Sequence, residues 1–97
     1  MSKYKLTKQA EHDLVKIWDY TVHEWSVNQA ERYIDSLVSS FEGIAAGRIK
    51  GKAIDSVRKG YMKTMHGKHY IFFRFSPDNI VEIIRILHVS MDIERYL

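Results

Sequence analysis

The segment "IVEIIRILHVSMDIERYL", residues 80–97, places His88 at the tip of the most apolar run in the chain. Histidine is the side chain whose ordinary titration falls near neutrality, so on a rigid strand end it can act as a general base or acid. Cations around it would lower its pKa and keep it basic and unprotonated at neutral pH. The strand register argued below brings Lys63, Lys68 and Tyr70 to the same end of one sheet face. The same histidine read structurally closes a strand, bonds the turn after it or contacts a partner. His66 and His69 could be joined to His88 as metal ligands, but a turn separates the first two and no carboxylate stands at ligand spacing, so no metal is expected. No Gly-rich phosphate loop and no Ser/His/Asp set is present, and no cofactor is implied.

The elements that must position these groups come from a chain of 97 residues, 45% of them hydrophobic. That length fits one domain over residues 1–97, with a core just large enough to fold alone. The absence of cysteine excludes disulfides and thiolate metal sites and suits the cytoplasm. No apolar run is long enough for a membrane span. Charge is uneven: residues 1–47 hold five Lys/Arg against seven Asp/Glu, and residues 48–97 hold ten against five. The excess lies in 48–68, where Arg48, Lys50, Lys52, Arg58, Lys59, Lys63 and Lys68 face Asp55 alone. Such a stretch attracts nucleic acid or an acidic protein, or is a solvated loop.

Met1 to Leu6 reads as a short strand. Thr7 suits the N-cap of a helix running through Trp25, with Ala10, Leu14, Ile17, Trp18, Thr21 and Trp25 on one stripe. Ser26-Val27-Asn28-Gln29 is a capping box that restarts the chain as a second helix. Ala30, Tyr33, Ile34, Leu37, Val38, Phe41, Ile44 and Ala45 form its stripe, and Gly47 suits the stop. Residues 48–56 read as a loop, followed by strands near 57–65, 68–76 and 80–88. The expected fold is α+β in the order β-α-α-β-β-β, a helical hairpin packed on one face of a small, mainly antiparallel sheet.

Turns at His66-Gly67 and Pro77-Asp78-Asn79 set an expected register. Met65 pairs with Lys68, Lys63 with Tyr70 and Tyr61 with Phe72; Ser76 pairs with Ile80, Arg74 with Glu82, Tyr70 with Ile86 and Lys68 with His88. One face then carries Lys59, Tyr61, Lys63, Lys68, Tyr70, Phe72, Arg74, Glu82, Ile84, Ile86 and His88. The other carries Thr64, Ile71, Phe73, Phe75, Val81, Ile83 and Leu87 and must meet the helices. The first face, aromatic and cationic together, is expected to lie open and await a partner.

The blocks "YKLTKQAEHDLVKIWDYT", "QAERYIDSL", "VRKGY", "HYIFF" and "IVEIIRILHVSMDIERYL" resemble, in order, those of ParE toxins of the RelE/ParE superfamily of bacterial toxin–antitoxin modules. Arg85-Ile86-Leu87-His88 with Met91-Asp92 is the most specific block and marks the ParE branch. The resemblance implies the fold just described and a poison that binds DNA gyrase, blocks replication and does no turnover of its own. It implies a cognate antitoxin, ParD-like or other, with a DNA-binding dimerisation part and a tail that wraps the toxin in a hetero-oligomer. Two departures stand out: Met62 follows Gly60-Tyr61 where family members commonly carry Arg, and Gly47-Arg48 stands where a Pro is common. Lys63 could substitute for the arginine, although the two cations differ in how they clamp phosphate.

The RelE branch instead cleaves messenger RNA on the ribosome. That chemistry must deprotonate a 2′-OH, protonate a leaving 5′-oxygen and stabilise the phosphorane between them. Lys63, Lys68, Tyr70 and His88 are the residues for it here, but Tyr70 stands where such enzymes place a phosphate-binding Arg. An antitoxin-binding homologue that has lost toxicity is a further alternative. For the gyrase reading, target contacts are expected at Lys50, Lys52, Arg58, Lys63, His88, Met91, Asp92 and Arg95. Antitoxin contacts are expected at Trp18, Trp25, Tyr61, Tyr70 and Phe72.

Overall fold

The computed structural model describes residues 3–97. The first strand, β1, spans Tyr4–Leu6, so the Met1 and Ser2 portion of the expected strand lies outside the described residues. Thr7 then turns the chain into α1, Lys8–Glu24: its hydroxyl accepts from the Ala10 N–H at 3.0 Å and donates to the Ile84 carbonyl at 2.7 Å. One side chain thus caps the helix and fastens it to the sheet. Ser26 caps α2, Val27–Ala45, by accepting from the Gln29 N–H at 3.0 Å, and Gly47 follows the helix at φ 80°. That left-handed geometry is open to glycine without penalty.

A two-residue strand β2, Lys52–Ala53, interrupts the stretch expected as loop. Next come β3, Met62–His66; β4, His69–Phe75; and β5, Val81–His88. A last turn of helix, α3, Ile93–Tyr96, is capped by Asp92, whose carboxylate accepts from the Glu94 N–H at 3.2 Å. The sheet order is β1-β5-β4-β3-β2, with β1 parallel to β5 and every other pair antiparallel. The helical hairpin covers one face through Leu37, Phe41 and Ile44 of α2 and Ala10 and Ile17 of α1, packed on Ile71, Phe73, Val81, Ile83 and Ile86.

The strand expected near 57–65 is shorter than expected at its start, with β3 beginning at Met62. Residues 54–61 form a closed loop instead. The Ile54 N–H donates to the Tyr61 carbonyl at 2.9 Å, and the Gly60 N–H donates to Asp55 Oδ1 at 2.8 Å. Gly60 has φ 84°, a conformation that ends the strand pattern on its N-terminal side.

Two register corrections follow. The β3–β4 turn is Gly67-Lys68, not His66-Gly67, so Met65 faces Tyr70 and Lys63 faces Phe72. Each strand advances by one position, which leaves side chains on their expected faces. The second change alters faces. Phe75↔Val81, Arg74↔Glu82 and Phe73↔Ile83 hold as expected from the Pro77-Asp78-Asn79 turn, but a bulge then leaves Ile84 unpaired. Beyond it Tyr70 faces Leu87, Ile71 faces Ile86 and His69 faces His88. Ile86 therefore joins the helix-side core, whereas Leu87 joins Phe72 and Ile84 on the far side.

That far side is not bare. Ile54 and Val57 of the closed loop cover it from one end, and Met91, Ile93 and Leu97 of the C-terminal segment cover it from the other. Phe72 is 0% exposed. The expected open aromatic face is a second, smaller core because both flanking segments fold over it.

Candidate functional site

β1 ends at Leu6 opposite Ile83, so the outer edge of β5 from Arg85 onward has no strand partner. Helix α1 closes that edge with Asp13, which stands on its buried stripe. Asp13 Oδ2 accepts from the Ile86 N–H at 3.0 Å and from Arg85 Nε at 2.8 Å, and Oδ1 accepts from Arg85 Nη2 at 2.9 Å. Arg85 Nη1 donates onward to the Tyr96 carbonyl at 3.2 Å. The bidentate pair, with little exposure on either side chain, ties helix, sheet and C-terminal turn together. Hydrogen bonding to Asp13 raises the Arg85 pKa above its ordinary value. The most specific block of the sequence thus opens on a structural arginine. Asp13 was legible as a carboxylate on an apolar stripe, which must find a partner, yet sequence reasoning missed it.

Above this pin runs a groove of about 860 Å³ between α1, the start of α2 and the ends of β4 and β5. Ile17 and Thr21 lie on its buried side, with the Thr21 hydroxyl satisfied by the Ile17 carbonyl at 2.7 Å. Tyr20 and Trp25 rim it, with Trp25 75% exposed. Lys16, Lys68, His69, His88, Ser90 and Met91 also line it. Trp25, the last residue of the stripe read for the first helix, is the C-cap of α1, where the stripe has run past the sheet. Trp18 is half-buried.

The bulge moves His88 beside His69, the two rings edge to face with centroids 5.5 Å apart. His88 Nδ1 accepts from the Ser90 N–H at 3.1 Å and lies 2.7 Å from Ser90 Oγ. The ring therefore bonds the turn that follows its strand. His69 Nδ1 lies 2.6 Å from Tyr33 Oη, which donates to the His66 carbonyl at 3.2 Å. Burial, then His88, then His66 push the His69 pKa down to about 4. Burial also lowers His66 and raises Tyr33. Ser36 Oγ donates to the Tyr33 carbonyl at 2.6 Å and so accepts from His66 Nε2 at 2.7 Å, leaving His66 Nδ1 to accept from Ser40 Oγ at 2.9 Å. This chain of neutral rings and hydroxyls fastens the β3–β4 hairpin to α2. Among the described residues no group of three or more His, Cys, Asp or Glu side chains is placed to hold a metal ion.

The four residues named for RNA cleavage do not come together. Lys68 and His88 line the groove, whereas Lys63 and Tyr70 belong to the far side of the sheet. There the Lys63 ammonium sits 4.6 Å from the Tyr70 ring centroid, and the Arg58 guanidinium sits 5.7 Å from that of Tyr61. Lys52 lies directly across from Lys63 in the β2–β3 ladder. Of the remaining expected contacts, Lys50 and Arg95 are exposed, Met91 is packed into the second core and Asp92 serves as the α3 cap. Phe72, expected to meet an antitoxin, is sealed inside that core, and Tyr61 and Tyr70 are half-buried at its margin.

A helical hairpin on a five-stranded sheet, with a groove beside the hairpin and a basic far side, describes a small binding protein. Residues 4–93 match the family model for the ParE toxin of the type II toxin–antitoxin system, parDE. The chain is 38% identical over 96 residues to Toxin ParE1 of Mycobacterium tuberculosis, covering 99% of this chain and 98% of the relative. It is 37% identical over 97 residues to Toxin ParE1 of Caulobacter vibrioides, covering 100% and 99%. The chain belongs to the ParE toxin family. The solved chromosomal ParDE toxin–antitoxin system from P. aeruginosa shares the fold, with a TM-score of 0.78 at 21% identity over 93% of this chain and 98% of that one.

Proposed function

We propose that this toxin works in the cytoplasm, binds DNA gyrase while gyrase holds DNA, and blocks replication by contact rather than by bond-making. Membership of the ParE family carries this reading. The separation of Lys63 and Tyr70 from Lys68 and His88 by the thickness of the sheet supports contact over ribonuclease work. Among the described residues no helix is long and apolar enough to cross a membrane.

The cognate antitoxin occupies the groove beside α1. Its exposed rim, Tyr20 and Trp25, offers anchor area, and Lys16 and Lys68 supply charge while Asp13 is already engaged by Arg85. An amphipathic acidic segment that orders as it binds suits such a groove. The contacts to the gyrase–DNA complex fall on the basic far side, around Lys50, Lys52, Arg58 and Lys63, and on Arg95 of the tail. His88 bonds the turn that leads into that tail, Met91 packs beneath it and Asp92 caps its helix.

Purified antitoxin-free protein, incubated with gyrase and supercoiled plasmid beside a ribosome-programmed messenger-RNA cleavage assay, tests the reading. Linear DNA should accumulate with the RNA intact. Cut RNA and normal supercoiling would overturn it, and silence in both from folded protein would mark a detoxified antitoxin-binding homologue.

A further inference from the structure

Lys52 and Lys63 are directly opposed across the β2–β3 ladder, on one face of the sheet. Like charges in that position repel and weaken a strand pair. No carboxylate relieves them: the ion pairs among the described residues are Lys5–Glu82, Arg74–Glu82 and Arg85–Asp13. Arg58 stands over the Tyr61 ring on the same side, carried on a loop already fixed at both ends by the Ile54–Tyr61 hydrogen bond and by Asp55 on the Gly60 N–H. Asp55 is the sole acid between residues 48 and 68, and its carboxylate accepts that backbone bond. The patch is held in shape before any partner arrives, so little ordering is lost on binding.

We infer that this face, centred on Lys52, Arg58 and Lys63, binds the phosphate backbone of duplex DNA directly. The inference extends the gyrase reading by giving the toxin its own hold on the DNA, but it does not need gyrase to be tested. A duplex is favoured over an unpaired strand because the aromatics here are not free stacking platforms. Tyr61 and Tyr70 are half-buried against the second core, with Arg58 over one ring and Lys63 over the other. Single-strand binders need open rings. Nothing on the face reads base edges, so the binding is independent of sequence and steep in salt, since each phosphate neutralised releases a counterion.

The test is fluorescence anisotropy of the purified toxin, without gyrase, on a labelled duplex across a salt series, with single-stranded DNA and double-stranded RNA as competitors. The expected result is duplex binding whose logarithm falls with log salt at a slope of about −3 to −4, as for three or four phosphate contacts. K52Q and K63Q should each flatten that slope by about one and weaken binding severalfold. The melting temperature of K52Q should hold or rise, because it removes a like-charge contact, and K63Q, which loses that repulsion together with the cation on the Tyr70 ring, should stay near wild type, so weaker binding cannot be put down to unfolding. Absence of duplex binding at low salt, or an unchanged slope in both variants, overturns the inference. So does preferential competition by single strands or RNA. If duplex binding is absent but K52Q and K63Q weaken association with DNA-free gyrase, the patch faces an acidic protein surface and the inference fails while the gyrase reading stands.

Discussion

Among the described residues, ten buried on the helix side of the sheet interlock between two long helices and strands β4 and β5; on the other side four do so, roofed by one closed loop and the C-terminal segment. Both cores enclose Phe side chains with no exposed surface, yet they differ in what holds the lid. The helix side is bound through the chain's own amphipathic stripes, each a continuous run of turns. The far side depends on separate anchors: Ile54 and Val57 at one end, Met91, Ile93 and Leu97 at the other, with Arg85 holding the Tyr96 carbonyl. More residues are buried on one face, and the shallower face carries Lys52 and Lys63, which have no ion pair among the described residues.

The largest effect expected is at the point where the two sides meet. Asp13→Ala leaves the Arg85 guanidinium and the Ile86 N–H without their acceptor, and breaking a buried pair from one side costs ~3–5 kcal/mol. That is a large share of the ~5–15 kcal/mol typical of a domain this size. Urea denaturation of the free toxin measures it. A loss under about 1 kcal/mol would mean that water can satisfy the β5 edge, and the pin would be ornamental.

The comparison of faces is tested next by truncating each. Leu37→Ala on the helix side should cost ~2–5 kcal/mol, whereas Ile93→Ala, half-buried in the lid of the far side, should cost about 1 kcal/mol. Equal losses would show that the tail is as integral as the hairpin. Trp25→Ala addresses the groove instead. Its side chain is exposed, so folding stability should move by less than about 0.5 kcal/mol. Titration calorimetry with the antitoxin should nonetheless show roughly 30-fold weaker binding, the size expected for loss of an aromatic anchor. Unchanged affinity would remove the groove as the docking site.

Much of this arrangement was legible in the sequence. The caps at Thr7 and Ser26, the α2 stripe and the stop at Gly47 follow from local chemistry that tertiary packing had no reason to override. The antiparallel pairing of successive strands and the first pairs out of the Pro77-Asp78-Asn79 turn were equally local, whereas the parallel pairing of β1 with β5 joins the two ends of the chain and had no local signal. The bulge at Ile84 was not, because a one-residue insertion has no composition signal and an apolar strand reads alike in either register. That slip exchanged the faces of Ile86 and Leu87 and carried His88 across the sheet, which is why the expected cluster with Lys63 and Tyr70 does not form. The far side looked open for a second reason: Ile93 and Leu97 lie in a segment too short and polar to announce that it folds back over Phe72.

The effect confined to the narrowest range of conditions concerns His69, and it separates the polar bridge between hairpin and α2 from the apolar packing around it. The His69 pKa is lowered to about 4 by burial and by its neighbours His88 and His66, against an ordinary value of 6.5. The native state therefore favours the neutral ring. The stabilisation is fully present above the unfolded value and is lost as pH falls from 6.5 through about 4. Solvent screening of a half-buried group discounts the shift to roughly 1–2 kcal/mol. Burial of His66 acts in the same direction. Carboxylates begin to titrate in the lower part of this window, so the informative quantity is the difference between wild type and His69→Gln. The variant should start out less stable, having lost the ring beside Tyr33, and should then lose less on acidification, so the two denaturation curves converge toward pH 4. Parallel curves would place the acid sensitivity elsewhere and leave His69 an ordinary packing residue.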